Sequence, residues 1–571
     1  MCGDIGAMGR AARAIWADML IALALACVLT SVWAWRDWAN LSALRLPDAD
    51  DVMRLQQIRD WVGGQAFGDL TQHRLGANGV AMHWSRLADL VPGAIIWCLQ
   101  NVIGRHQAEL IAVIAWPAML LAVAIALTGR IARMVAGDEV AAPAMVVAAI
   151  AYPASTLFVP GRIDHHGLQL VLLLLTVLMI IGPRSTLAGL VAGVASALSL
   201  VVGMEMTPLL AAAAAMLVAE WVISATDSRE RLFGFGLGLG GATLAASFIF
   251  RTAAWNYPAC DGFGAISARA AMIAALVPIS LAVLGRKANM RARLAMAGLA
   301  AIALAAALLV GAPQCLSPYG GVDPLLQRLW LVRVAEAQGL FDAPPATALG
   351  YGGLPLVGLI ACAWLAWRTR TCGGTLLLVL QLAAVAVMAV QLRGAYAGAL
   401  LAAPALGAAI VAARRKGALA LAAAWAASAG IFYPIAAQAM TSPEVGSAGA
   451  SCTASDLIDA LGRLPAGTVM APIDTGAPAI AATKQQLIAG AYHRDGAGNL
   501  AMYRFYGNTP EQARAIALNW HVRWVVACDG FAGVPVSFAQ RLEGGAVPAW
   551  LTQVGGVPSG GRIFEVQANE R

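Results

Sequence analysis

Two short acidic clusters and one arginine set the chemistry open to this sequence. Leu46-Pro-Asp48-Ala-Asp50-Asp51 follows an apolar run directly, and Arg162-Ile-Asp164-His165-His166 opens another. Carboxylates and an imidazole converging from two loops suit a hard or borderline divalent ion such as Mg²⁺ or Mn²⁺. An acidic triple after proline is equally a helix cap, and Asp-His-His also reads as an N-capping aspartate with two interfacial histidines. The chemistry served by such a set is displacement of a phosphate from a sugar carbon. The ion offsets charge developing on the leaving phosphate, and a carboxylate takes the proton of the acceptor. Arg393, in Gln391-Leu-Arg393-Gly-Ala-Tyr396 at the mouth of an apolar run, could hold that phosphate by charge-assisted hydrogen bonds or simply snorkel from a span end.

These groups need elements that hold them at the edge of an apolar phase. Of 571 residues, 60% are hydrophobic and 12% charged, and the mean hydropathy is +0.71. That excludes a set of soluble domains and makes lipid the solvent for most of the chain. The formal charge of +7 is distributed in short basic clusters between apolar runs, the pattern that orients membrane proteins, so a nucleic-acid partner is not indicated.

At about 20 residues per span, thirteen helices are expected, centred near residues 24, 120, 149, 175, 194, 215, 241, 277, 302, 360, 382, 404 and 427. An odd number puts the termini on opposite sides. Arg10/Arg13, Arg130/Arg133, Arg184, Arg229/Arg231, Arg286/Lys287/Arg291/Arg293, Arg368/Arg370 and Arg414/Arg415/Lys416 all fall on the N-terminal side. This predicts a multi-pass protein of the cell inner membrane with a cytoplasmic N-terminus and a periplasmic C-terminus. The first span could instead be a cleaved signal, Ala24-Leu25-Ala26-Cys27 resembling a lipoprotein site, but its removal would spoil the charge alternation.

The expected domains are a transmembrane part, 1–440, with outer loops at about 36–106 and 312–350, and a periplasmic α/β tail, 441–571. Residues 158–166 and 251–268 lie on the same outer face, and the apolar stretch 91–104 is short enough to be re-entrant or interfacial. All seven histidines fall on that face. In the tail, Gly467-Thr-Val-Met-Ala-Pro and Val522-Arg-Trp-Val-Val-Ala read as strands and 510–519 as a helix. The nine cysteines show no zinc or CxxC spacing and are expected mostly in the core. Cys260 with Cys315 and Cys452 with Cys528 share the oxidising side, and either pair could be bridged.

In this order, the residues resemble the catalytic subunit of oligosaccharyltransferases, glycosyltransferases of the GT-C superfamily. The likeness spans the whole chain in architecture and only short stretches in sequence. Asp50-Asp51 with Arg59-Asp60 looks like the first-loop segment whose aspartate binds metal and contacts the acceptor, which implies that role for Asp50. Asp164-His165-His166 looks like the second acidic motif in its archaeal form, so Asp164 and His166 would complete the metal site; the acid often found three residues later is Gln169 here. Val334-Ala-Glu336-Ala-Gln338 is similar to the motif whose glutamate activates the acceptor, and Arg393, with His165, is assigned to the donor phosphate.

In the tail, Val469-Met-Ala-Pro-Ile-Asp474-Thr-Gly476 stands where the family has Trp-Trp-Asp-Tyr-Gly. Both tryptophans of the sequon pocket are missing. Asp474, and His493 and Arg494 of Ala491-Tyr-His493-Arg494-Asp495, are then candidates for binding the acceptor, although the latter stretch is equally a polar loop. The resemblance implies an inverting glycosyltransferase that draws on a polyprenyl-phosphate or -diphosphate donor and acts on a periplasmic acceptor without sequon specificity. A metal-independent glycan ligase or polymerase, which would need neither Asp50 nor Asp164, and a lipid-linked sugar flippase are the alternatives.

Overall fold

The computed structural model describes residues 5–258, 260–316, 322–440, 450–528 and 537–567, with the side chains of 5–13, 225–227, 316 and 450 outside the described set. The chain divides into two compact units: Met1–Ala39, His83–Gly320 and Val334–Thr441 form the first, and Asn40–Met82, Gly321–Arg333 and Ser442–Arg571 the second. Two segments of the expected outer loops thus belong with the tail unit.

The first unit is helical. Among the described residues, eight helices are long and apolar enough to cross a membrane, or nine if Ala418–Ser428 and Phe432–Gln438, bent by 73°, make one span. Together with the shorter apolar helices His166–Ile181, Thr186–Val202 and Thr207–Ile223 and the helix Asp138–Ala149, they occupy all thirteen expected centres. Four of the thirteen are short, 12 to 17 residues long. A bilayer core of about 30 Å asks for about 20. All four end or begin at the non-α-helical segments 150–165 and 203–206.

Helix Arg86–Ile103 buries Ala88, Asp89 and Ile96 and exposes Trp97, Val102 and Ile103, an amphipathic arrangement in keeping with an interfacial element. Acids near the span ends are charge-paired: Asp18 with Arg133 at 2.6 Å and Glu220 with Arg184 at 2.7 Å. Thr186–Val202 and Ala225–Ile249 pack backbone to backbone, because a Cβ on Gly193 would come within 2.2 Å of the Phe235 carbonyl and one on Gly234 within 2.1 Å of the Thr186 carbonyl.

The second unit is α/β. A small hairpin, β1 (Thr71–Gln72) with β2 (Val80–Ala81), precedes a five-stranded sheet built from β3 (Thr468–Met470), β4 (Gln486–Leu487), β5 (Val522–Ala527), β6 (Leu551–Gly556) and β7 (Arg562–Val566) in the order β4-β3-β5-β7-β6. β3 pairs parallel with β4 and β5, and β7 antiparallel with β5 and β6. The helix Pro510–Asn519 lies where the sequence places it.

Helix Ala49–Val62 is tied to the tail through Arg59, which donates to the Ala481 carbonyl at 3.1 Å. Both candidate disulfides form, Cys260–Cys315 and Cys452–Cys528. The free cysteines correct the expectation of a core role: Cys27, Cys98 and Cys372 are exposed and Cys362 alone among the described ones is buried. A thiol is apolar enough to sit on a lipid-facing surface.

Candidate functional site

In the first unit, the chain passes through Gly161 in the left-handed region at φ +93°, where a side chain would be strained. Helix His166–Ile181 starts immediately afterwards. Asp164, His165 and His166 are all buried there. Asp164 Oδ1 lies 2.6 Å from His165 Nδ1, and the other nitrogen of that ring, Nε2, lies 3.0 Å from Glu205 Oε1. Burial opposes a charged imidazole, but the carboxylates of Asp164 and Glu205 outweigh it and push His165 up to about 10. His165 is therefore an imidazolium with both nitrogens spent on carboxylates. It offers the site positive charge rather than a lone pair.

His166 is held in the complementary state. Gln169 Nε2 donates to Glu205 Oε2 at 2.8 Å, which turns its Oε1 toward His166 Nδ1 at 3.3 Å. With Nδ1–H donating to that oxygen, the lone pair of Nε2 faces Asp164 Oδ2, 3.4 Å away. Two ligands on one divalent ion lie roughly 3–3.5 Å apart given bond lengths near 2.1 Å. Asp164 and His166 thus fit a metal as a two-ligand set. The ligand atoms of Asp164, His165 and His166 lie within 4.8 Å of one another, as do those of His83, His165 and Glu205.

Glu336 and Arg393 belong to the same unit. Residues 336–340 zip onto the turn at 388–393 through backbone bonds from Leu340 N to Met388 O (3.1 Å), Leu392 N to Gln338 O (2.8 Å) and Arg393 N to Glu336 O (3.2 Å). The side chains close an ion pair, with Arg393 Nη2 donating to Glu336 Oε1 at 3.0 Å. A cleft lined by His166, Glu205, Arg393 and Tyr396 joins this pair to the buried cluster. Tyr396 stacks on His166 with ring centroids 6.3 Å apart. One site therefore brings together Asp164, His165, His166, Glu336 and Arg393, with Glu205, Gln169 and Tyr396 added by the structure.

The remaining sequence candidates lie in the second unit. Asp48 caps helix Ala49–Val62, accepting from Asp50 N at 3.1 Å, so the capping reading holds for it, while Asp50 is half-buried in the first turn. Asp60, of the Arg-Asp pair that follows, accepts from Gln56 at 2.7 Å and Gln72 at 3.0 Å. Asp474 is exposed on the 3-10 turn Ile473–Thr475, within electrostatic reach of Arg333 and Tyr503. His493 and Arg494 are half-buried on a loop pinned by Asn499, which accepts from Gly490 N at 3.1 Å and donates to the Tyr492 carbonyl at 3.1 Å.

No protein-family model and no curated protein sequence matches the chain. Among solved structures, it is similar to the archaeal oligosaccharyltransferase AglB from Archaeoglobus fulgidus, in complex with an inhibitory peptide and a dolichol-phosphate. The match has a TM-score of 0.64 at 14% identity over 90% of this chain and 69% of the archaeal one. The chain has the fold of an oligosaccharyltransferase. The archaeal enzyme in complex with Zn and sulfate matches 96% of this chain and 73% of its own with a TM-score of 0.62 and 15% identity. Tethered to an acceptor peptide containing the NVT sequon, it matches 90% and 69% with a TM-score of 0.63 at 15% identity.

The oligosaccharyltransferase fold and the apolar helices make this a multi-pass membrane protein. Glu205 is not among the residues that the sequence motifs single out. The available signal was chain alternation: the connection Gly203-Met-Glu205-Met lies on the same face as Asp164 and Arg393.

Proposed function

We propose that this chain is an inverting glycosyltransferase that moves a sugar or oligosaccharide from a polyprenyl-phosphate or -diphosphate donor to an acceptor on the periplasmic face of the inner membrane. The observation that carries the reading is His166 Nε2 lying 3.4 Å from the Asp164 carboxylate, beside Arg393 and Glu336, on an oligosaccharyltransferase fold. A divalent ion, Mg²⁺ or Mn²⁺, would offset charge on the leaving phosphate. Asp164 and His166 would hold it, with Asp50 the first-loop ligand that the resemblance assigns.

Arg393 binds the donor phosphate, with His165 beside it keeping both ring nitrogens on Asp164 and Glu205, and Glu336 accepts the proton of the acceptor. The new bond forms at the anomeric carbon as its bond to the phosphate oxygen breaks, and the electron pair leaves on the polyprenyl phosphate. In the resting chain Arg393 is bonded to Glu336, so an arriving phosphate competes with that carboxylate and leaves it free to act as a base. Asp474, His493 and Arg494 are the acceptor-side candidates. With Pro472-Ile473 in place of the tryptophan pair, the acceptor is a protein, lipid or glycan chosen without the sequon hydroxyl.

The test is divalent-metal binding and donor turnover with a polyprenyl-phosphate sugar, for wild type and for Asp50→Asn, Asp164→Asn and His166→Ala. Loss of both in variants that remain folded is the expected result. Metal-independent turnover untouched by Asp164→Asn would refute it and favour the metal-free ligase.

A further inference from the structure

Helices His166–Ile181, Thr207–Ile223 and Cys372–Val390 each have one end at the site, through His166, Glu205 and Arg393, and the other at a second cavity of about 450 Å³. Ile180, Met216, Ile223 and Leu376 form its apolar wall. Arg184, Arg231, Arg370 and Glu220 supply its charge, and the first-turn residues Cys372 and Gly373 also face it. The reaction proposed above uses none of these groups.

Three arginines share the cavity with one carboxylate. Glu220 is shared between Arg184 Nε at 2.7 Å and Arg231, whose guanidinium also donates to the Gly182 carbonyl at 3.0 Å. Glu220 therefore cannot neutralise the whole set, and a cationic surplus remains at the mouth, where Arg184 and Arg370 are exposed. The N-terminus of the 19-residue helix Cys372–Val390 adds to it, because its peptide dipoles favour an anion. Arg370 stands at φ +50°, a left-handed position that glycine fills without strain, so at this helix end a cation occupies a place where backbone geometry favours another residue.

A free anion would satisfy the arginines but leave the apolar wall facing water. A lipid satisfies both, its phosphate at the arginines and its chains along Ile180, Met216, Ile223 and Leu376.

We propose that this cavity is a binding site for an anionic glycerophospholipid of the leaflet opposite the Asp164–Glu205 site. The inference does not depend on the glycosyl-transfer reading. The test is native mass spectrometry of the full chain with phosphatidylglycerol and phosphatidylcholine of matched acyl chains, for wild type and Arg184→Ala/Arg370→Gly. Both positions are exposed and Arg370→Gly suits its backbone, so the variant is expected to fold.

Wild type should retain phosphatidylglycerol preferentially, and the variant should bind it roughly 25-fold more weakly, about fivefold for each arginine. Met216→Trp, which fills the cavity, should abolish retention with the arginines in place. Equal retention of the two lipids, or retention unchanged in both variants, overturns the proposal. So does displacement of phosphatidylglycerol by millimolar inorganic phosphate, which would mark a free-anion site.

Discussion

Gln169 decides which nitrogen of His166 carries the proton, because its amide is oriented by the bond it donates to Glu205. Gln169→Leu keeps the volume and removes that orientation, so Mn²⁺ affinity measured by calorimetry should fall roughly 10–100-fold with the melting temperature little changed. An unchanged affinity would mean that His166 is not a ligand. In the second unit, Asp495 caps helix Gly496–Gly507 while buried, and burial, partly offset by the backbone bond from Gly498, raises it to about 8. Its folded value lies above the unfolded value near 3.8, so between about pH 4 and 8 the folded state holds a proton that the unfolded state has lost, and stability falls as pH rises through that window. Thermal unfolding of the full chain should show this slope for the tail unit, and Asp495→Asn, which can still accept from Gly498, should flatten it. At this scale the contiguous motifs were readable: Asp164-His165-His166, Glu336 and Arg393 are polar groups in an apolar sequence and meet in one site. Glu205 was not, because a lone acid in a short connection carries no local pattern that separates it from a solvated loop residue. Its role arises only from the approach of the turn at Gly203, where a Cβ would lie 3.0 Å from Gln169 Nε2 and 3.1 Å from the His165 ring.

Between elements, backbone proximity sets the packing of Thr186–Val202 against Ala225–Ile249. Gly189 and Gly193 face Arg231 and Phe235, and Gly234 and Gly238 face Thr186 and Leu190, so each helix presents two glycines four residues apart to the backbone of the other. Gly193→Leu would force the pair apart and should destabilise the first unit by roughly 1–3 kcal/mol, read as a lower melting temperature in detergent, whereas Gly298→Leu, with open space around its Cβ, should not. In the second unit, the Cys452–Cys528 bond joins the turn Ala450–Thr453 to the end of β5 across 76 residues. Replacing both cysteines by alanine should cost about 4–5 kcal/mol through the larger entropy of the opened unfolded chain. Hydrogen exchange in β3 and β5 of the full chain would report it. Hydropathy located every membrane helix because a period of apolar residues is visible locally. Four of them are short because a helix ends where polar groups must converge, and that convergence is tertiary: the apolar run through Ile150-Ala-Tyr-Pro153 reads as continuous span, yet the chain has left the helix at Ala149.

Across the first unit, charge is sorted by helix end. The short connections carrying Arg130/Arg133, Arg184, Arg229/Arg231, Arg286/Lys287, Arg368/Arg370 and Arg414/Arg415/Lys416 alternate along the chain with those carrying Arg162-Ile-Asp164-His165-His166, Glu205 and Arg393. Basic residues in short connections resist translocation, so the expected orientation puts the first set in the cytoplasm and the acid–histidine site outside. Trp35 and Trp38, exposed where the first helix emerges, suit the opposite interface. The alternation is internally redundant, since six separate connections would have to be misread together for the orientation to invert. Alkaline phosphatase, active only after export, should therefore be active when fused after Met440 and inactive when fused after Lys416, while a fluorescent protein that folds only in the cytoplasm should give the reverse. Activity after Lys416 would turn the Asp164–Glu205 site toward the cytoplasm. The paired cysteines Cys260–Cys315 would then lie in a reducing compartment where such bonds do not persist. The disulfides thus make the orientation testable a second way: in the exported arrangement neither Cys260 nor Cys315 should react with a membrane-impermeant maleimide until a reductant is added, whereas Cys372, exposed at the opposite helix end, should stay unlabelled in intact spheroplasts and react once the membrane is opened.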